Sequence, residues 1–130
     1  MLSISLDSTV PLHDQLVAEF RRLIATGALA RGDELPPVRQ LAADLGINLN
    51  TVARAYRDLT DRGLVVAARG RGTVVISSTE RPAGRTAEDL ARVEHAIAAA
   101  LADGKLAGIT LAEMRAMVDR HAALLWAPAG

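Results

Sequence analysis

A chain of 130 residues, half of them hydrophobic and none of them cysteine, has room for one domain, or for one small domain with an accessory segment. The lack of cysteine excludes a disulfide scaffold and thiolate metal sites and fits a reducing cytoplasm. No apolar run approaches the roughly 18 residues of a membrane span, and Met1-Leu2-Ser3 lacks the basic start of a secretory signal, so a cytosolic location without membrane contact is expected. Lys and Arg balance Asp and Glu at 15 each, which counts against a generally basic nucleic-acid binder and makes the local distribution of charge decisive.

Leu2 to Leu6 alternates and predicts a short strand. Pro11 is placed for a first-turn helix proline, and Leu12, Leu16, Phe20, Leu23 and Ile24 recur at helical spacing up to Gly27, a C-terminal cap. A turn is expected at Arg31-Gly32-Asp33. A second helix runs from about Pro37 to Leu45, with Val38, Leu41, Ala42 and Leu45 inward, and Gly46 ends it. Asn48 is a good N-cap for a third helix, because its side chain can accept from the free amides of the first turn. Val52, Ala55, Tyr56 and Leu59 form that helix's core stripe, and Gly63 closes it. The runs 64–68 and 73–77 are rich in β-formers and are joined by Arg69-Gly70-Arg71-Gly72, which predicts a hairpin. A linker over 79–85 separates this domain, 1–78, from two further helices in 86–130. Each of these starts with a capping box, Thr86 with Asp89 and Thr110 with Glu113. Gly104 and Gly108 punctuate their connection. The expected fold is mostly α with a small β wing, a winged helix-turn-helix followed by a short C-terminal αα-hairpin.

A helix-turn-helix presents the N-terminus of its second helix to the DNA major groove, and a hairpin wing reaches the neighbouring backbone and minor groove. Between Leu45 and Arg57 the chain carries Arg54 and Arg57 and no acid; the wing adds Arg69 and Arg71. Local charge matters more than the total, since exposed charges beyond about 10 Å are largely screened in moderate salt. Phe20, Tyr56 and Trp126 are the only aromatics, too few for the base stacking of single-strand and RNA modules. Duplex DNA is the expected partner.

Taken jointly and in order, Pro11-Leu12, Gln15, Gly27, Gly32-Asp33, Leu35-Pro36, Arg39, Leu41-Ala42, Leu45-Gly46, Asn50-Thr51-Val52, Gly63-Leu64 and Gly70-Arg71-Gly72-Thr73 resemble the GntR family of bacterial transcription regulators. Pro36-Pro37-Val38-Arg39, with the run from Asn48 to Tyr56, is similar to its YtrA and MocR branches. A MocR-type chain carries a large aminotransferase-like domain after the winged helix, whereas two short helices follow here, which fits the YtrA-like branch. The resemblance implies that Arg39 contacts a phosphate or a guanine edge and that the polar start of the recognition helix falls on Asn48, Leu49, Asn50 and Thr51. Many relatives carry arginine where this chain has Leu49, and another where it has Ala53. Those departures move the expected base contacts to Asn50, Thr51 and Arg54, since Asn pairs with adenine and Arg with guanine. The wing-tip glycine falls on Gly70, between Arg69 and Arg71, all three expected at the DNA. Arg39 has Asp44 and Glu34 as rival ion-pair partners, and Tyr56 belongs to the core.

In the tail, Leu90, Val93, Ile97 and Leu101, then Leu111, Met114, Val118 and Leu125, form apolar stripes that two short helices cannot bury by themselves. A two-fold homodimer is the economical solution, and the resemblance agrees, since YtrA-like tails are taken to dimerise. A tail this small leaves little room for an enclosed pocket, so an effector, if there is one, would sit at the dimer interface or in the cleft between domains. His95 and His121 are too few for a metal site built on imidazoles. No nucleophile–base motif or phosphate loop is present, so neither cofactor nor enzyme activity is expected. The sequence thus reads as a dimeric, operator-binding transcription regulator, a repressor more than an activator. The alternative is a winged-helix interaction module that has lost operator reading, a reading kept open by Leu49 and Ala53.

Overall fold

The computed structural model describes residues 2–77 and 86–127; the expected linker at 79–85 lies outside them. The chain divides into two compact units, Met1–Thr79 and Glu80–Gly130.

In the first unit, α1 (Leu12–Thr26) begins one residue after Pro11, which stands at the cap position and not inside the first turn, and it ends at Gly27. α2 (Val38–Leu45) also starts behind a proline, Pro37. It stops at Gly46, whose φ of 68° is a left-handed backbone that glycine adopts without a Cβ penalty. That sharp stop turns the chain into α3 (Leu49–Asp61). Asn48 caps α3 as expected, its side-chain oxygen accepting from the Asn50 N–H at 2.7 Å. β1 (Val65–Ala68) and β2 (Gly72–Val75) form the antiparallel wing, with Val65 opposite Val75 and Ala68 opposite Gly72.

The core draws on every element of this unit. Leu16, Phe20 and Ile24 come from one face of α1, Leu41 and Ala42 from α2, Val52, Ala55, Tyr56 and Leu59 from α3, and Val65 and Val75 from the wing. Phe20 meets Tyr56 edge to face, with ring centroids 5.7 Å apart. The Tyr56 hydroxyl reaches the Pro36 carbonyl at 2.5 Å, so the ring is buried in the core while its polar end is satisfied. Burial raises the pKa of this phenol and keeps it a donor. The bond also ties α3 to the loop that leads into α2.

Leu2 to Leu6 is not a strand. A strand needs a neighbour for its backbone groups, and here Gln15 takes them instead: its Oε1 accepts from Ser5 N–H at 2.7 Å, and its Nε2 donates to the Ser5 and Val10 carbonyls at 3.0 and 2.8 Å. Leu2 and Ile4 still pack on the core. The pairing partner of β2's free edge lies elsewhere, in the segment expected only as a turn. Gly32 N–H donates to Val75 O, Val75 N–H to Asp33 O and Leu35 N–H to Thr73 O, at 2.8, 2.9 and 2.8 Å.

In the second unit, α4 (Ala87–Leu106) and α5 (Leu111–Leu125) both carry complete capping boxes, Thr86 with Asp89 and Thr110 with Glu113. Hydrogen bonds from Thr110, through its backbone first and its side chain second, hold the Glu113 carboxyl below the usual carboxylate range. Gly104 departs from expectation. It lies inside α4, buried, and a Cβ built there would run into Met114 Sδ. It is therefore the notch into which α5 presses a side chain, and the turn belongs to Gly108 alone. Among the described residues no helix is long and apolar enough to cross a membrane.

Candidate nucleic-acid interface

The start of α3 is an open polar face. Asn48 spends its side chain on the cap, while Asn50 and Arg54, four residues apart and so on one face of the helix, are exposed, with no hydrogen bond or ion pair to their side chains among the described residues. Thr51, between them in sequence, is half-buried, and Arg57 is exposed one turn on. The acids of α3 lie toward its other end. Asp58 is held by Arg62 at 2.7 Å and lies 3.5 Å from His13 of α1, so its charge is matched locally. The free amides and dipole of an α-helix start favour anions, and no side-chain acid competes for them here.

Arg39 lies in the first turn of α2, exposed, and both rival partners are occupied. Asp44 accepts from Gln40 at 2.7 Å, and Glu34 accepts from Arg71 at 3.0 Å. Arg39 is left without an ion pair among the described residues.

At the wing, Arg71 N–H donates to Ala68 O at 3.0 Å across a tight turn that places Gly70 at φ 77°. Arg69 and Gly70 are exposed at this tip, and Arg69 has no side-chain partner among the described residues. Arg71 behaves differently. Its Nε binds Glu34 and its Nη2 donates to Gly32 O at 2.8 Å, which fastens the tip to the loop that pairs with β2. Of the candidate side chains, Arg39, Asn50, Arg54 and Arg69 are thus unengaged, while Arg71 is already in use. From the sequence, Glu34 is a rival partner for Arg39 alone. The Arg71 link spans 37 residues, and the strand-like pairing of Glu34 with Val74, which no local sequence signal announces, brings the two side chains to one edge.

Residues 12–75 match the family described as bacterial regulatory proteins, gntR family. A solved structure, YtrA from Sulfolobus acidocaldarius, a GntR-family transcription factor, is 36% identical, with a TM-score of 0.57, and the alignment covers 76% of this chain and 97% of that one. The chain belongs to the GntR family. Its 75-residue match to the HTH-type transcriptional repressor YtrA of Bacillus subtilis (strain 168) is 37% identical and covers 58% of this chain and 58% of that protein, so the chain spans little more than half of that curated relative. The crystal structure of a transcriptional antiterminator from Listeria monocytogenes, 23% identical, covers 96% of this chain at a TM-score of 0.77, which speaks for the fold alone. For this GntR chain the matched segment contains all of α2, α3 and the wing.

The described residues of the tail differ in their exposed apolar side chains. Leu90, Val93, Ile97 and Leu101 are 44–54% exposed, Leu111 and Val118 are 58% and 61% exposed, and Leu125 is half-buried. Met114 is half-buried too, taken up by the Gly104 notch. Leu106 and Trp126, outside the expected stripes, are the most exposed large apolar residues among those described, at 87% and 80%. Among the described residues no group of three or more His, Asp or Glu could hold a metal ion.

Proposed function

We propose that this chain is a cytoplasmic, sequence-specific transcription regulator with no enzymatic role, which binds a two-fold duplex operator as a homodimer and represses by occupying promoter DNA. The observation that carries the reading is the α3 face of exposed, unengaged Asn50 and Arg54 in a stretch free of acid. Arg39, Arg69 and Gly70 support it as flanking phosphate and minor-groove contacts, and Thr51 as a further contact at the helix start. The exposed stripes of α4 and α5 support the dimer, and the repressor role follows the printed name of the Bacillus subtilis relative.

A salt titration tests the reading. If each subunit neutralises about three or four phosphates, the dimer gives a log affinity against log salt slope of about −5 to −7. A slope near zero on any duplex would favour the alternative, a winged helix that binds protein. Single substitutions then sort the contacts. Arg54→Ala is expected to weaken binding by about 1–3 kcal/mol and to relax preference at one base pair per half-site. Arg71→Ala is expected to weaken specific and random duplexes alike, because it unties the wing and removes no base contact. An equal loss on both DNAs for Arg54→Ala would remove it from base reading.

A further inference from the structure

Leu49, the first residue of α3, is 38% exposed and is absent from the residues packed on the core. An apolar head at this place breaks the polar run Asn48, Asn50, Thr51. It also stands four residues before Ala53, one turn away on the same helix face, so α3 carries a short apolar ridge, Leu49 with half-buried Ala53, beside the polar ridge of Asn50 and Arg54.

We propose, on the regulator reading above, that Leu49 is a specificity residue that packs against the 5-methyl group of a thymine in each operator half-site. The major-groove edges of the bases present hydrogen-bond donors and acceptors and one apolar group, the thymine methyl. A leucine pressed onto any other edge leaves buried polar atoms without partners, which is unfavourable. The polar ridge alongside recognises adenine or guanine, so the thymine lies next to a purine contacted by Asn50 or Arg54, and the ridge pair reads a short mixed step. The requirement is the pyrimidine 5-methyl, and an unmodified synthetic library contains it only as thymine.

The test uses the full chain and a duplex selected from a random library. Each thymine of the selected half-site is replaced in turn by deoxyuridine, which deletes the methyl and leaves every hydrogen-bonding group. Burial of one such carbon is worth about 0.8 kcal/mol, or about fourfold in affinity. One thymine per half-site is therefore expected to show a loss of about fourfold, and about 16-fold when both half-sites are changed. In Leu49→Ala the same replacement is expected to have almost no effect, while the melting temperature and the salt slope stay unchanged. Selective, salt-dependent binding in which every uracil is neutral, or in which the uracil loss persists in Leu49→Ala, overturns the assignment and leaves the regulator reading standing. A chain that enriches no sequence and has no salt slope overturns both and points to a protein surface as the partner of Leu49.

Discussion

Ile97→Asp combined with Val118→Asp is expected to turn the chain into a monomer and to lower operator affinity about 10²–10⁴-fold. Both side chains are more than half exposed, at 54% and 61%, so a carboxylate at either place can remain in water and the helices lose little packing of their own. In a dimer the same carboxylates would be drawn into an apolar seam, where an unpaired charge is strongly unfavourable. The affinity loss has a separate origin. Two tethered half-site readers make the second encounter intramolecular, with recognition helices set about 34 Å apart or a multiple of that. Sedimentation and operator titration on the same preparation check the two halves. Deleting residues 87–130 gives the companion result, a folded winged helix that binds weakly, because the first unit has its own buried core. A double variant that remains dimeric and keeps full affinity would place the interface elsewhere, with exposed Leu106 and Trp126 the first places to look.

The fold was legible wherever one residue decides local geometry. Gly27 and Gly46 stop helices, Asn48 starts one, and the threonines at 86 and 110 each find the acid three residues on. These are contacts within a turn, and a sequence contains both partners side by side. The misreadings concern longer range. Ser3 and Ser5 alternate with Leu2, Ile4 and Leu6 as a strand would, but alternation says nothing of whether a neighbouring strand exists, and Gln15 takes the backbone groups instead. Gly104 resembles a turn residue because its role depends on Met114, ten residues on and across the hairpin. At the candidate interface, residue types were legible and their availability was not. Whether Arg39 or Arg71 is unengaged depends on which of them Glu34 reaches, and that is settled by the pairing of Glu34 with Val74.

Phe20→Ala is expected to destabilise the first unit by about 3–5 kcal/mol, in the range for deletion of a buried aromatic. Phe20 is 2% exposed, sits between Leu16 and Ile24 on the inner face of α1, and stacks edge to face on Tyr56. Its removal opens a cavity beneath the α3 residue whose hydroxyl bonds to Pro36. At about 4–8 °C per kcal/mol for a domain this small, the melting temperature falls by about 12 °C or more, which calorimetry or thermal circular dichroism measures directly. A domain held by about 5–15 kcal/mol in total loses much of its margin, yet retains a folded majority at low temperature wherever it begins above about 5 kcal/mol. Operator affinity measured there distinguishes scaffold from surface. Phe20→Ala should bind with the wild-type base preference, weakened only by the unfolded fraction, whereas Arg54→Ala should melt as the wild type does and lose preference at one base pair. A Phe20→Ala protein that is fully folded yet has altered base preference would mean that the core sets the angle at which α3 meets DNA, and that reading the operator is a property of the packing as much as of the exposed side chains.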